Sequence, residues 1–401
     1  KAHPVIVRES VRFVAEQDSL NASVLGPDAK ADSPEFDLFI KEVAKEMTVK
    51  AGQKCTAIRR AMVPAALLDA AQAALTARLE KTTIGDPRDE ATRMGALVST
   101  GQRNDVRDKI KEISADAKIV YGDPNASPFN EKGAFISPVL LRCENPWQAR
   151  GVHDVEAFGP VSTLMPYKHA ADAIALANRG KGSLVMSAFT YDTDFARDLV
   201  LGSGSFHGRI AFIDRDSAKE STGHGSPMPH LIHGGPGRAG GGEEMGGIRG
   251  VTHYMQRTAL QGHPRTLAAI VKRYIAGMPT ENAEQHPFRR KFHDLPIGYQ
   301  LKTKAREITL DDIEHFAHFT GDTFYAHMDE EAAKANPLFG GRVAHGYLIL
   351  AFAAGLFVDP DPGPVLANYG LDNLRFVKPV KPGDTVQVAL TVKDKTLRKP
   401  D

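Results

Sequence analysis

The chain is poor in cysteine, in net charge and in long apolar runs, and each scarcity excludes something. Two cysteines in 401 residues, Cys55 and Cys143, cannot build a disulfide scaffold and point to a reducing compartment, hence the cytoplasm. Fifty basic residues against 49 acidic ones leave a formal charge of +1, which offers nucleic acid or an anionic membrane surface no field to follow. The longest apolar run, Tyr347 to Val358, is shorter than the ~18 residues that suggest a bilayer span, so no membrane segment is expected. What remains is an ordinary globular composition, 42% hydrophobic and 25% charged, with length for two or three domains.

The two ends look cut. Lys1 is not a translation start, and Val5-Ile6-Val7 reads as a short strand already inside a domain. Near the other end Val386, Val388, Leu390 and Val392 alternate with less apolar residues, a half-buried strand that finds no partner before the chain stops. The expectation is a piece of a longer polypeptide, with a dinucleotide fold upstream and at least two strands downstream.

Helical and strand patterns alternate in the first half. Phe36, Phe39, Ile40, Val43 and Met47 recur at i, i+3, i+4 spacing, which predicts a buried helix face over 36–50. Ala/Leu-rich 65–81, polar-faced 101–117 and 168–179 predict further helices, with strands at 119–121 and 184–190. Such alternation indicates an α/β domain. Residues 222–250 are glycine-rich. His224, His230 and His233 lie there at no metal-ligand spacing, so no metal is expected. No strand precedes these glycines and no helix follows directly, so the loop is read as structural rather than as a dinucleotide fingerprint.

A proline-marked linker follows, and a different pattern opens after it. Thr309-Leu310-Asp311-Asp312 is a capping-box-like start, continued by the stripe Ile313, Phe316, Ala317, Thr320. Gly346 to Val358 is apolar nearly all round, which predicts burial on all sides. Strands are expected at 373–379 and 385–392 around a turn at 381–384. One buried helix wrapped by an antiparallel sheet is a hot-dog arrangement.

The chemistry starts at Gly52-Gln53-Lys54-Cys55. A cysteine directly behind a glycine break at a helix end is placed to face a cleft; its lysine neighbour is given no role. This segment resembles the aldehyde dehydrogenase superfamily at four places in the right order. Gly52–Cys55 is similar to that family's nucleophile motif. Glu16, 39 residues upstream, falls where the family keeps its general-base glutamate. Glu156-Ala157-Phe158-Gly159-Pro160-Val161 is similar to the motif whose glutamate holds the nicotinamide ribose and whose aromatic residue packs near the ring. Gly246–Arg257 is similar to the segment before the oligomerisation strand. The resemblance implies Cys55 as nucleophile, Glu16 as the base for deacylation, and Glu156 and Phe158 at the cofactor. It also implies a homo-oligomer, a domain-swapped dimer or a hexamer. In that family the oxyanion-hole asparagine and the phosphate-binding fold lie upstream of these motifs, so much of the cofactor site is expected outside these 401 residues. His153-Asp154-Val155 stands before Glu156 where relatives are more acidic.

Gly321-Asp322-Thr323-Phe324-Tyr325-Ala326-His327-Met328-Asp329 carries the second signal. It resembles the MaoC-like, (R)-specific enoyl-CoA hydratases, in which an Asp and a His five residues apart activate water. Arg342-Val343-Ala344-His345-Gly346 is similar to the entry to that family's central helix, which implies that the Gly346 N–H polarises a thioester carbonyl. Phe324-Tyr325 stands where relatives have Asn-Pro, and Ala354 where many have serine.

Together these resemblances imply an α/β aldehyde dehydrogenase catalytic domain with its oligomerisation segment over 1–261, a linker over 262–285 and an incomplete hot-dog domain over 286–401. The combination resembles the bifunctional ring-opening enzymes of bacterial phenylacetate catabolism. That implies hydration of oxepin-CoA to a CoA-linked semialdehyde, which is then oxidised with NADP (NAD not excluded) to 3-oxo-5,6-dehydrosuberyl-CoA. Two alternatives stay open: fusion to a hydratase for ordinary enoyl-CoA thioesters, and a CoA-binding assembly module with one decayed site.

Overall fold

The structure, a computed structural model, describes residues 3–10, 12–365 and 368–397. The chain divides at Gln256/Arg257 into two compact units.

The first unit is built on a seven-stranded sheet. In chain order its strands are β1 (Ala22–Leu25), β2 (Arg60–Pro64), β3 (Lys118–Tyr121), β4 (Val139–Arg142), β5 (Val161–Tyr167), β6 (Ser183–Phe189) and β7 (His207–Phe212). They lie in the order β3-β4-β5-β2-β1-β6-β7. Every pairing is parallel except β3 with β4. A parallel sheet must be covered on both faces, and alternate residues of β2 divide accordingly. Ala61 and Val63 join one apolar cluster with Phe36, Phe39, Ile40, Val43 and Met47 of the Pro34–Thr48 helix. Met62 joins the other, with Val106, Ile110 and Ile113 of the Thr100–Ile113 helix and Leu176 of the Ala170–Asn178 helix.

The Pro34–Thr48 helix begins at Ser33, whose side chain caps the Phe36 N–H. Having crossed back over the sheet from the end of β1, it leaves the chain at the amino edge of the strands. There Gly52 turns it with φ of +68°, and a Cβ at this position would sit 2.1 Å from the Gly159 carbonyl oxygen. Both the backbone conformation and the close approach demand glycine.

Arg60, at the start of β2, is fully buried and donates to the carbonyls of Leu20, Leu176 and Ala177. One side chain thereby ties the segment before β1 to the end of the Ala170–Asn178 helix.

In the second unit, Tyr299–Lys302 pairs in parallel with Glu281–Asn282 and antiparallel with Ala389–Thr391, and Arg306–Glu307 pairs antiparallel with Thr385–Val386. The Leu310–Thr320 helix carries the expected capping box, Thr309 and Asp312 each bonding the other's backbone N–H. Ile308, Ile313, Ala344 and Leu348 form the buried core. Leu348 of the Gly346–Phe357 helix enters this core, with Val386 of a strand packed against it, in keeping with the hot-dog arrangement expected from the sequence.

Five expectations change. Residues 4–9 are a short helix without a buried residue, because His3 caps it and Pro4 suits its first turn. No strand forms at 373–379; two strands, not one continuous strand, follow the turn at 381–384. The Gly346–Phe357 helix is not buried on all sides: Leu348 is buried, whereas Tyr347 is 67% exposed. Apolar composition says what a helix can bury, not what is packed on it. The stretch expected as a linker contains a helix, Pro264–Val271, and the strand Glu281–Asn282.

Candidate active sites

In the first unit the site lies at the amino ends of β1, β2 and β5, each of which is preceded by one of its segments. Residues 16–21 lead into β1, 55–59 into β2 and 156–160 into β5. Asn21 organises the junction. Its Nδ2 donates to the carbonyls of Cys55 at 2.8 Å and Ala57 at 3.0 Å, while its Oδ1 accepts from the Ser19 hydroxyl and the Val185 N–H. The backbone of Cys55 is thus fixed by a buried, fully engaged amide.

Cys55 is half-buried and its Sγ lies 3.9 Å from His233 Nε2. The same nitrogen is 3.7 Å from Glu244 Oε2. Burial, and then the negative charges of Glu16 and Glu244, push the thiol pKa up, partly offset by its own backbone N–H. Burial also raises the Glu16 pKa, helped by Glu244 and Glu156 and opposed by His233. The structure places Glu16 and Glu156, the residues that the resemblance groups with Cys55, close enough for their charges to act on its thiol. It adds His233 and Glu244, which sit in the stretch that the sequence alone presents as a structural loop.

That glycine-rich loop does hold the site. Gln17 N–H donates to the Arg238 carbonyl at 3.1 Å, and the Arg238 side chain pairs with Asp18. Gly240, at φ +91°, packs where a Cβ would be 2.6 Å from the Glu16 nitrogen. Of the three histidines, His224 is buried and bonds Ser187 Oγ at 2.8 Å. Lys54 points away from the thiol to Glu46 Oε1 at 2.6 Å.

Glu156 receives the Ser19 N–H at 2.9 Å and Arg59 Nε at 3.1 Å. Arg59 also donates to the Gly159 and Gly52 carbonyls and lies 5.4 Å from the centre of the Phe158 ring. Glu156 and Phe158 line a cavity of about 710 Å³ with Gln17, Asp18, Arg150 and Asp154. Its carboxylates suit hydroxyl donors such as a ribose, and its one aromatic ring suits a flat heterocycle. These residues fit the nicotinamide half of a dinucleotide.

In the second unit, Asp322 and His327 lie around the short Tyr325–Met328 helix, and His345 is the residue before the Gly346–Phe357 helix. One ligating atom of each, a carboxylate oxygen or a ring nitrogen, lies within 4.8 Å of the other two. His327 Nδ1 is 2.7 Å from the Val343 carbonyl, which makes it the N–H donor and leaves the lone pair on Nε2. Gly346 opens the helix, where first-turn N–H groups lack intrahelical partners and the dipole favours negative charge. A Cβ there would be 2.5 Å from the Phe376 ring. Phe324 is 53% exposed, and Ala354 is half-buried on the helix.

The sequence profile of the Aldehyde dehydrogenase family matches residues 7–259, and that of the MaoC like domain matches residues 293–400. "Protein MaoC" of Klebsiella aerogenes is 50% identical over 306 residues, 76% of this chain and 90% of that protein. The 3,4-dehydroadipyl-CoA semialdehyde dehydrogenase of Aromatoleum evansii is 44% identical over 240 residues, 59% of this chain and 47% of its own length. Betaine aldehyde dehydrogenase of Staphylococcus aureus, solved with NAD+, superposes with a TM-score of 0.53 at 25% identity, over 62% of this chain and 46% of that one. The chain spans about half the length of these two dehydrogenases. No described helix is long and apolar enough to cross a membrane. From the profile over its first unit and the relative that spans both units, the chain belongs to the aldehyde dehydrogenase family, in a form fused to a MaoC-like domain.

Proposed function

We propose that this chain serves a two-step conversion of a CoA thioester, hydration by the second unit and oxidation of the resulting aldehyde by the first. The observation that carries it is one chain holding both a half-buried cysteine among Glu16, His233 and Glu244 and an Asp322/His327 pair beside a helix amino terminus.

In the first unit Cys55 Sγ attacks the aldehyde carbon, forming the C–S bond as its proton passes to His233, in hydrogen-bond range of the sulfur. A bound nicotinamide cofactor supplies the hydride acceptor. Glu156 and Phe158 would hold its ribose and ring from the cavity they line. Glu16, made a stronger base by its surroundings, then takes a proton from the water that cleaves the Cys55 thioester, releasing a carboxylic acid and restoring the thiol. In the second unit Asp322 and His327 activate water and handle the α-proton of an enoyl thioester. The Gly346 N–H steadies the charge that develops on the thioester oxygen.

The substrate is proposed from relatives. A semialdehyde dehydrogenase for a CoA-linked substrate is among them, and the fused arrangement resembles the phenylacetate ring-opening type. Oxepin-CoA is therefore the proposed hydration substrate, the 3-oxo-5,6-dehydrosuberyl thioester the proposed product, NADP the proposed cofactor and a homo-oligomer the proposed assembly. A cytoplasmic setting follows from the reducing-compartment reading. Carrying both activities on one chain raises the effective concentration of the aldehyde for the oxidation step.

The test is a pair of variants. Cys55→Ala should abolish aldehyde oxidation and spare hydration, and Asp322→Asn should do the reverse. Hydration of crotonyl-CoA as readily as oxepin-CoA would favour the general hydratase. If neither variant alters any turnover, an assembly role replaces both.

A further inference from the structure

His345 occupies the N-cap of the Gly346–Phe357 helix yet makes no side-chain capping bond. Cap positions favour side chains that accept from the first-turn N–H groups. Here the ring turns the other way, is 2% exposed, and engages both members of the acid–base pair. Its Nε2 lies 2.9 Å from the Asp322 backbone carbonyl, so this nitrogen carries the proton and donates. Its face stacks on His327 with centroids 3.7 Å apart and planes 28° from parallel, and Phe316 sits 5.1 Å away by the same measure. Nδ1 is buried with no hydrogen-bond partner, and burial lowers the ring's pKa, opposed by the bond to the Asp322 carbonyl.

We propose that His345 is the positioning residue of the hydration site, its N–H setting the Asp322 loop and its ring face setting the plane of His327, while its failure to cap leaves the first-turn N–H groups free for a thioester oxygen. The inference rests on the hydratase reading above. One side chain then registers three parts of the site that come from separate segments, and loss of either link displaces the pair. A shared metal ion is the competing use of the same three residues. It fits the stacking poorly, because near-parallel rings aim their in-plane lone pairs side by side rather than at one point about 2.0–2.1 Å from both.

Two variants of the whole chain separate the links. His345→Gln keeps a donor near the Asp322 carbonyl and removes the ring. His345→Phe keeps the ring and removes the donor. Each should lower kcat for crotonyl-CoA hydration about 10- to 100-fold with KM within about twofold, the signature of misplaced rather than missing groups. Imidazole NMR of the substrate-free protein, assigned through His327→Asn, should show the His327 signals moved by His345→Gln and kept near their place by His345→Phe. If the wild type does not hydrate crotonyl-CoA, the hydratase reading is damaged for that substrate, while the NMR comparison still decides the positioning. Unmoved His327 signals in His345→Gln, or kcat within twofold in both variants, would overturn the proposal. Stoichiometric zinc binding by the wild type that His345→Gln abolishes would replace it with the metal.

Discussion

Arg59 Nε donates to Glu156 Oε1 at 3.1 Å with both side chains nearly sealed from solvent, 4% and 7% exposed. The guanidinium does more than neutralise the carboxylate, since it also bonds the Gly52 and Gly159 carbonyls on either side of the Gly52 turn. Removing one partner strands a buried charge. Arg59→Met should therefore lower stability by about 3–5 kcal/mol, read as a shift of the urea midpoint. Glu156→Gln, which keeps an acceptor for Ser19 N–H, should cost less. Equal midpoints for Arg59→Met and the wild type would contradict this.

Gly52→Ala tests the turn itself. Its φ of +68°, and the Gly159 oxygen 2.1 Å from where the new Cβ would sit, leave no room, so a cost of about 1–3 kcal/mol is expected from the backbone conformation alone. The Cys55 loop should shift and aldehyde oxidation fall, with hydration by the second unit unchanged. Retained oxidation kinetics would show that the turn does not set the thiol.

Cys55 should be slow toward iodoacetamide near pH 7, because its surroundings favour the thiol. The rate should keep climbing beyond the ordinary cysteine pKa of about 8.5. Glu16→Gln or Glu244→Gln removes a negative neighbour and should move the inflection down. Cys143, buried and held at about 11, should stay unlabelled. Peptide mass spectrometry over a pH series decides, and an inflection below about 8 in the wild type would be the contrary result.

Acid should unfold the first unit early. Burial holds His153 at about 4, His207 at about 3 and His224 well below its ordinary value. Their folded pKa values lie under the unfolded ~6.5, so below that pH the unfolded chain binds more protons and stability falls. Three such groups give a slope of up to about 4 kcal/mol per pH unit between roughly pH 6 and 4. Thermal unfolding should show Tm dropping steadily from about pH 7 to 5, less steeply in His207→Asn. A flat Tm would mean the three rings take up protons without unfolding.

Much of this was legible in the residues because it is local. The stripe Phe36, Phe39, Ile40, Val43, Met47 is buried as its spacing predicts, and the glycine behind that helix does turn the chain toward Cys55. The Thr309/Asp312 capping box forms. His233 and Glu244 were illegible for the opposite reason. They reach Cys55 from 178 and more residues away, and the glycine-rich stretch that carries them has no periodicity to betray an inward face. Val5 to Val7 misled because β-branched residues suit strands, while Pro4 and the His3 cap locally favour a helical turn. The Gly346–Phe357 helix misled because hydropathy counts methyl groups and not neighbours.

The crossing of the glycine-rich loop with the Glu16 segment has a temporal side. Gly240 fits against Glu16, and Arg238 holds Asp18, only when stretches more than 200 residues apart in the chain have met. Contacts of such separation form late, since loop closure precedes any reward for them. Until then Cys55 has neither His233 nor Glu244 beside it and behaves as an ordinary thiol. The chemical environment of the Cys55 thiol is in that sense a report that folding has finished.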